Sequence, residues 1–223
     1  MHLFRRSWIN QAEKYNLKQM TTKTESLIQA ASSSRENDAS FNKAERTLPS
    51  REAAAELFQK VRKKLRNVHE WGEHSGVSNF ALFESDGRVA EDGKVTDGRF
   101  VRIHLPATGK YDWVRIEDVR ETEEETVITV RPTYDPTARP VDKKVISHFF
   151  ADTAMNNFCV LLRGNTVGVY VVGLGEKQNT SATAGIVDAA RNVAVANLGS
   201  YLGVQSAEWT KFCNDLLGSG DDK

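Results

Sequence analysis

Arg99-Phe100-Val101-Arg102-Ile103-His104-Leu105 sets apolar side chains two residues apart, with arginine and histidine between them. Trp113-Val114-Arg115-Ile116-Glu117 repeats the pattern. Successive side chains of a strand point to opposite faces, so this spacing buries one face and wets the other. Half-buried strands of this kind belong to antiparallel sheets. They argue against the doubly wound parallel sheet of a nucleotide binder.

Outward from that stretch, six strands are predicted at 79–85, 98–105, 112–119, 125–132, 158–163 and 166–174. Asp86-Gly87, Asp92-Gly93 and Asp97-Gly98 punctuate the first connection, each suited to the positive φ of a tight turn. Gly164-Asn165 closes the last hairpin. Between the fourth and fifth strands, Pro132, Pro136 and Pro140 stiffen an extended loop that cannot continue a central strand. A short helix capped by Ser147 is expected after it, carrying Phe149, Phe150, Ala154 and Met155.

Helices are expected at both ends of the sheet. Ser50 caps the first, Glu52 suits its positive end, and Leu57, Val61, Leu65 and Val68 form one apolar stripe. Near the C-terminus, Ile186, Ala190, Val193 and Ala194 predict a helix ended by Gly199. A last helix, capped by Ser206, carries Trp209, Phe212, Cys213 and Leu216 at helical spacing. The fold class is therefore α+β. It is a mostly antiparallel sheet of about six strands, with a partial barrel as its more curled form, flanked by one N-terminal and two C-terminal helices.

That domain is expected to span 49–218. Residues 1–48 read as a flexible or partner-ordered tail, because the stretch from Ala31 to Ser40 is too polar to repay its own ordering entropy. Met20-Thr21-Thr22-Lys23 resembles an ordinary start, which makes 1–19 an upstream extension in this reading. Residues 219–223 read as a disordered C-terminal tail.

The 223 residues carry thirty lysines plus arginines and thirty aspartates plus glutamates, so the overall field favours neither polyanions nor anionic membranes. No apolar run approaches the ~18–20 residues of a membrane span, and the basic N-terminus lacks the apolar stretch of an export signal. A soluble, cytoplasmic protein is expected. Cys159 and Cys213, both in apolar settings, are expected to behave as small hydrophobes rather than as a disulfide.

No catalytic set is legible, so the chain reads as leaning away from an enzyme, with no cofactor. His69 and His74 fall five residues apart, which on a helix turns the imidazoles ~140° from each other and argues against a metal site. Gly173-Leu174-Gly175 is followed by Glu176, without the lysine or third glycine of a phosphate loop. No serine or cysteine sits in a nucleophile-elbow context. The proline loop offers a ligand site instead. Arg131 and Arg139 present forked donors, Tyr134 a flat face, and His148 with Asp152 a pair at helical spacing.

Charge is locally segregated. Lys60 to Arg66 holds five cations in seven residues, and Glu117 to Glu125 six acids in nine. With Val61 and Leu65 in the buried stripe, Lys60, Arg62, Lys63 and Arg66 fan over the exposed arc of the helix. Glu121, Glu123 and Glu124 can meet them within one molecule or across a contact. The leading functional expectation is a non-catalytic cytoplasmic interaction or assembly domain using these surfaces, through a protein partner or self-association. A small-ligand-binding protein or modest enzyme with its pocket near 131–140 comes second. A weak single-stranded nucleic-acid binder comes third, since no recognition motif accompanies the cations.

Overall fold

The computed structural model describes residues 23–33, 39–105, 110–143, 145–177, 179 and 198–218. Seven strands form one antiparallel sheet: β1 (Ala39–Thr47), β2 (Asn79–Phe83), β3 (Phe100–Leu105), β4 (Lys110–Glu121), β5 (Glu125–Pro132), β6 (Met155–Arg163) and β7 (Thr166–Leu174). Their order is β1-β7-β6-β5-β4-β3-β2, so the sheet is open, with β1 and β2 as its edges, and the partial barrel is not formed. A bulge between Ile116 and Asp118 shifts the β4–β5 register. Bulges of this kind bend and twist the strand that carries them.

The helices are α1 (23–33), α2 (Arg51–Leu65), α3 (Trp71–Ser75) and α4 (Leu198–Leu217), with a single 3-10 turn at Val68–Glu70. Ser50 caps α2 as expected, its Oγ accepting from Ala53 N–H at 3.2 Å. Ala54, Phe58, Val61 and Leu65 of α2 are buried against the sheet. The face of the sheet toward α2 and α4 supplies Leu82, Val101, Val114, Ile128, Phe158 and Val169 to the same core. Its centre is aromatic: the Trp71 ring lies 4.8 Å from Phe158 and 5.8 Å from Phe212, and Trp209 lies 5.3 Å from Phe158. Phe83, Phe100 and Trp113 alternate onto the other face, where Tyr134 packs against them.

Four expectations are corrected here. The sheet has a seventh strand, β1, inside the stretch read as tail, and it pairs with β7 along its whole length. Its apolar content is low because it is an edge strand whose polar residues have partners. Asn42 is buried, and its Oδ1 accepts from Ser206 Oγ at 2.8 Å and from Thr210 Oγ1 at 3.3 Å. For the same reason Ser206 is no cap: it lies inside α4, tying that helix to β1. Gly199 lies within the first turn of α4 rather than ending a helix, and the helix expected through Ile186 to Ala194 falls outside the described residues.

The helix expected from Ser147 does not form either. Ser147 is held in extended pairing, its N–H donating to Thr133 O at 2.8 Å and its carbonyl accepting from Trp113 N–H at 2.8 Å. A residue so committed to the ends of β4 and β5 cannot begin a helix.

Candidate functional site

The C-terminal half of α2 forms one wall of an open groove of about 710 Å³. Lys60, Lys63 and Lys64 rise from that wall at helical spacing, with Arg62 and Arg66 beside them. The turn Asp92-Gly93-Lys94 forms the facing wall, and Gln59, Asn67 and Glu70 complete the lining. Six cations thus face two carboxylates, so the local field is positive although the chain as a whole is neutral.

The turn that brings Lys94 here is fixed by backbone bonds. Val68 N–H donates to Gly93 O at 2.9 Å, and Val95 N–H to Arg66 O at 3.1 Å. Gly93 has φ +63°, and a Cβ there would collide with Asn67 Oδ1. Only a glycine lets the turn close this tightly on the end of α2.

The cations divide into two kinds. Arg62 donates to the carbonyls of Thr122 and, at 3.2 Å, Glu125, and its guanidinium lies 4.4 Å from the centre of the Phe58 ring. Burial pushes Arg62 below its ordinary pKa; Glu121 opposes this and Arg66 adds to it. Arg66 pairs with Glu121 at 3.4 Å, and Arg51, nearer the helix start, with Glu124 at 2.6 Å. The acidic turn between β4 and β5 therefore meets the basic helix within one molecule. Glu123 of that turn is exposed. Lys60, Lys63 and Lys94 are also exposed and, among the described residues, have no ion-pair partner. Lys64 Nζ lies 3.5 Å from Asp215 O.

The two carboxylates of the groove are engaged. Asp92 pairs with Arg99 at 2.6 Å, and this bond holds its carboxyl below the ordinary range. Glu70 accepts from Asn67 Nδ2 at 2.6 Å. The last carbonyls of α2 are engaged too: Leu65 O accepts from the Trp71 indole at 2.9 Å, Lys64 O from Asn67 N–H at 3.1 Å and Arg66 O from Val95 N–H. The negative end of the helix is thereby occupied by protein donors.

The residues read as a ligand site around the proline loop are arranged differently. Arg131 Nη1 lies 3.4 Å from Thr153 O and 3.5 Å from Asp152 O, so the structure brings Arg131 and Asp152 together. Tyr134 packs its ring 5.5 Å from that of Phe100. Arg139 stands in solvent with its side chain 81% exposed, paired with Asp142 at 2.9 Å. His148 is buried, and its Nδ1 accepts from Phe150 N–H at 2.9 Å.

Cys159 and Cys213 are both free and buried, and burial pushes each thiol up to about 12, Glu125 adding to the effect at Cys159. Among the described residues no three His, Cys, Asp or Glu side chains converge as a metal would require. Nor, among them, is any helix long and apolar enough to cross a membrane.

No protein-family model and no curated protein matches the chain. Among solved structures it is similar to a hypothetical protein from Helicobacter pylori (12% identity, 83% of this chain and 91% of that one, TM-score 0.49). It is also similar to the ZhuI aromatase/cyclase from Streptomyces (12% identity, 82% and 94%, TM-score 0.45). A third is the major latex-like protein 151 of Panax ginseng (16% identity, 81% and 99%, TM-score 0.42). At these identities and scores the likenesses transfer neither a site nor a reaction to this chain.

Reading the sequence alone found Lys60, Arg62, Lys63 and Arg66 but missed Lys94, Asn67 and Gly93. The Asp92-Gly93 turn was visible, but nothing local says that it folds back onto α2.

Proposed function

We propose that this protein works by binding, not catalysis, and that the groove along α2 receives an anionic group of its partner. One observation carries this reading: Lys60, Lys63 and Lys94 surround a concave space of about 710 Å³ without ion-pair partners among the described residues. The arginines beside them are tied to the acidic turn. Among the described residues the lining consists of lysines, arginines, amides and two engaged carboxylates, with no serine, cysteine or histidine to act as nucleophile or proton carrier near neutral pH. A cytoplasmic setting and a protein or small-molecule partner both suit it.

The test is titration of the full chain with tripolyphosphate, poly-L-glutamate and oligo(dT) at low and at raised salt. At least one should bind, with affinity falling as salt rises. The Lys60→Glu/Lys63→Glu double variant should weaken that binding by ten-fold or more, on the order expected for two reversed contacts. Failure of all three probes at low salt, or equal binding by the double variant, would sink the reading.

A further inference from the structure

We infer that the anionic group this groove takes is a compact run of phosphates, not a carboxylate-rich peptide and not a nucleic acid. The inference rests on the binding reading above and adds the ligand class.

The first argument is the kind of cation left free. A guanidinium fork pairs with two coplanar oxygens of a carboxylate or a phosphate, whereas an ammonium is a compact point charge without planar preference. Ammonium groups converging from facing walls therefore suit an anion that presents oxygens in several directions, as a run of phosphates does. Both arginines of the groove are already anchored in the fold, Arg62 by hydrogen bonds to backbone carbonyls and Arg66 by an ion pair with Glu121 at 3.4 Å. The groove cations without an anchoring partner among the described residues are ammonium groups: Lys60 and Lys63 on α2, with Lys94 opposite them. These would sit on different sides of one ligand, an arrangement suited to a charge-dense, rounded anion.

The second argument is what the lining leaves out. Single-stranded nucleic acids are held by stacking bases on aromatic faces along a cationic track. Among the described residues, no aromatic side chain lines this groove. Its volume of about 710 Å³ falls within the ~300–1,000 Å³ of small-molecule sites. Concentrated phosphate charge fits that space, and extended polymers gain nothing from it beyond their phosphates.

The third argument concerns repulsion. The C-terminal end of a helix ordinarily disfavours anions. Here the carbonyls of Lys64, Leu65 and Arg66 already accept protein hydrogen bonds, and Asp92 is paired with Arg99. Asp92 is therefore balanced by a cation inside the fold and Glu70, held by the Asn67 amide, keeps its charge against the six cations of the lining.

Calorimetric titration of the full chain with tripolyphosphate, poly-L-glutamate and oligo(dT) at matched charge concentration tests this. Tripolyphosphate should bind at least ten-fold more tightly, per site, than either polymer. Lys94→Gln should weaken it by about ten-fold, the order of one charge-assisted contact. Arg139→Gln, which removes an equal charge outside the groove's lining, should leave it within two-fold. Circular dichroism confirms that both variants are folded, and amide shifts on adding tripolyphosphate should localise to Lys60–Asn67 and Asp92–Lys94. Tight poly-L-glutamate binding with weak tripolyphosphate binding overturns the phosphate assignment but leaves the binding reading standing. Equal losses in Lys94→Gln and Arg139→Gln overturn the assignment of the groove. Silence from all three probes removes both.

Discussion

The groove on α2 and the proline loop are both rich in arginine, yet they use their charge in opposite ways. Around the loop, Arg131 leans on the carbonyls of residues 152 and 153, and Arg139 is closed on Asp142 three residues away. On α2 the arginines are likewise engaged, but lysines stand beside them with their charge unspent. Cation content alone is therefore a poor guide to a site. What matters is which cations the fold has already satisfied, and whether those left over share a concave space.

The comparison can be broken most forcefully at Trp71, whose indole caps Leu65 O and whose ring packs on Phe158 and Phe212. Trp71→Ala should cost about 3–5 kcal/mol in denaturant unfolding, because it empties the aromatic core and frees the end of α2. A loss below about 1 kcal/mol would mean that the groove wall does not depend on that anchor. Arg62→Ala comes next, at about 1.5–3 kcal/mol, from losing charged hydrogen bonds to two carbonyls of the acidic turn. An unchanged unfolding midpoint would show that the turn does not hold the helix.

His74 offers a smaller, pH-dependent contrast. Burial lowers its pKa from the usual ~6.5, with Lys64 adding to the effect and Asp215, Glu70 and Glu73 opposing it. Because the folded value lies below the unfolded one, protonation favours unfolding. This contribution to stability is whole above about pH 6.5 and is lost as the pH falls from there through the lower folded value. Melting temperatures from pH 8 to pH 5 should fall less in His74→Gln than in the parent chain, and parallel profiles would refute the shift. Arg139→Ala should move stability least, by less than about 0.5 kcal/mol, since its ion pair is solvated. A loss above about 1 kcal/mol there would erase the contrast between the two regions.

The sheet was largely legible from the sequence. Strands β2 to β7 announce themselves by alternation or by branched apolar runs, and α2 by its cap and stripe. β1 did not: Asn42 and Arg46 hold positions where a central strand would put valine, and their partners lie on α4, which no local pattern can report. The segment from Ser147 misled in the other direction. Its phenylalanines suit a buried helix, but backbone pairing with Trp113 and Thr133 decides its conformation. Half of the groove was visible as five cations on one helix. Its other wall depends on Val68 bonding to Gly93, a contact between segments with nothing in common along the chain.

The pairing of β1 with β7 has a consequence during synthesis. Thr47 and Thr166 face each other across 119 positions of chain. At translation speeds of ~5–20 residues per second, the first strand waits on the order of 6–24 s before its neighbour is made. Throughout that interval a length of backbone that later hydrogen-bonds to β7 has no native mate. Its lysine, glutamate and arginine, the kind of residue that also guards an edge strand in the finished molecule, are of the type that discourages an unpartnered ribbon from pairing with other chains.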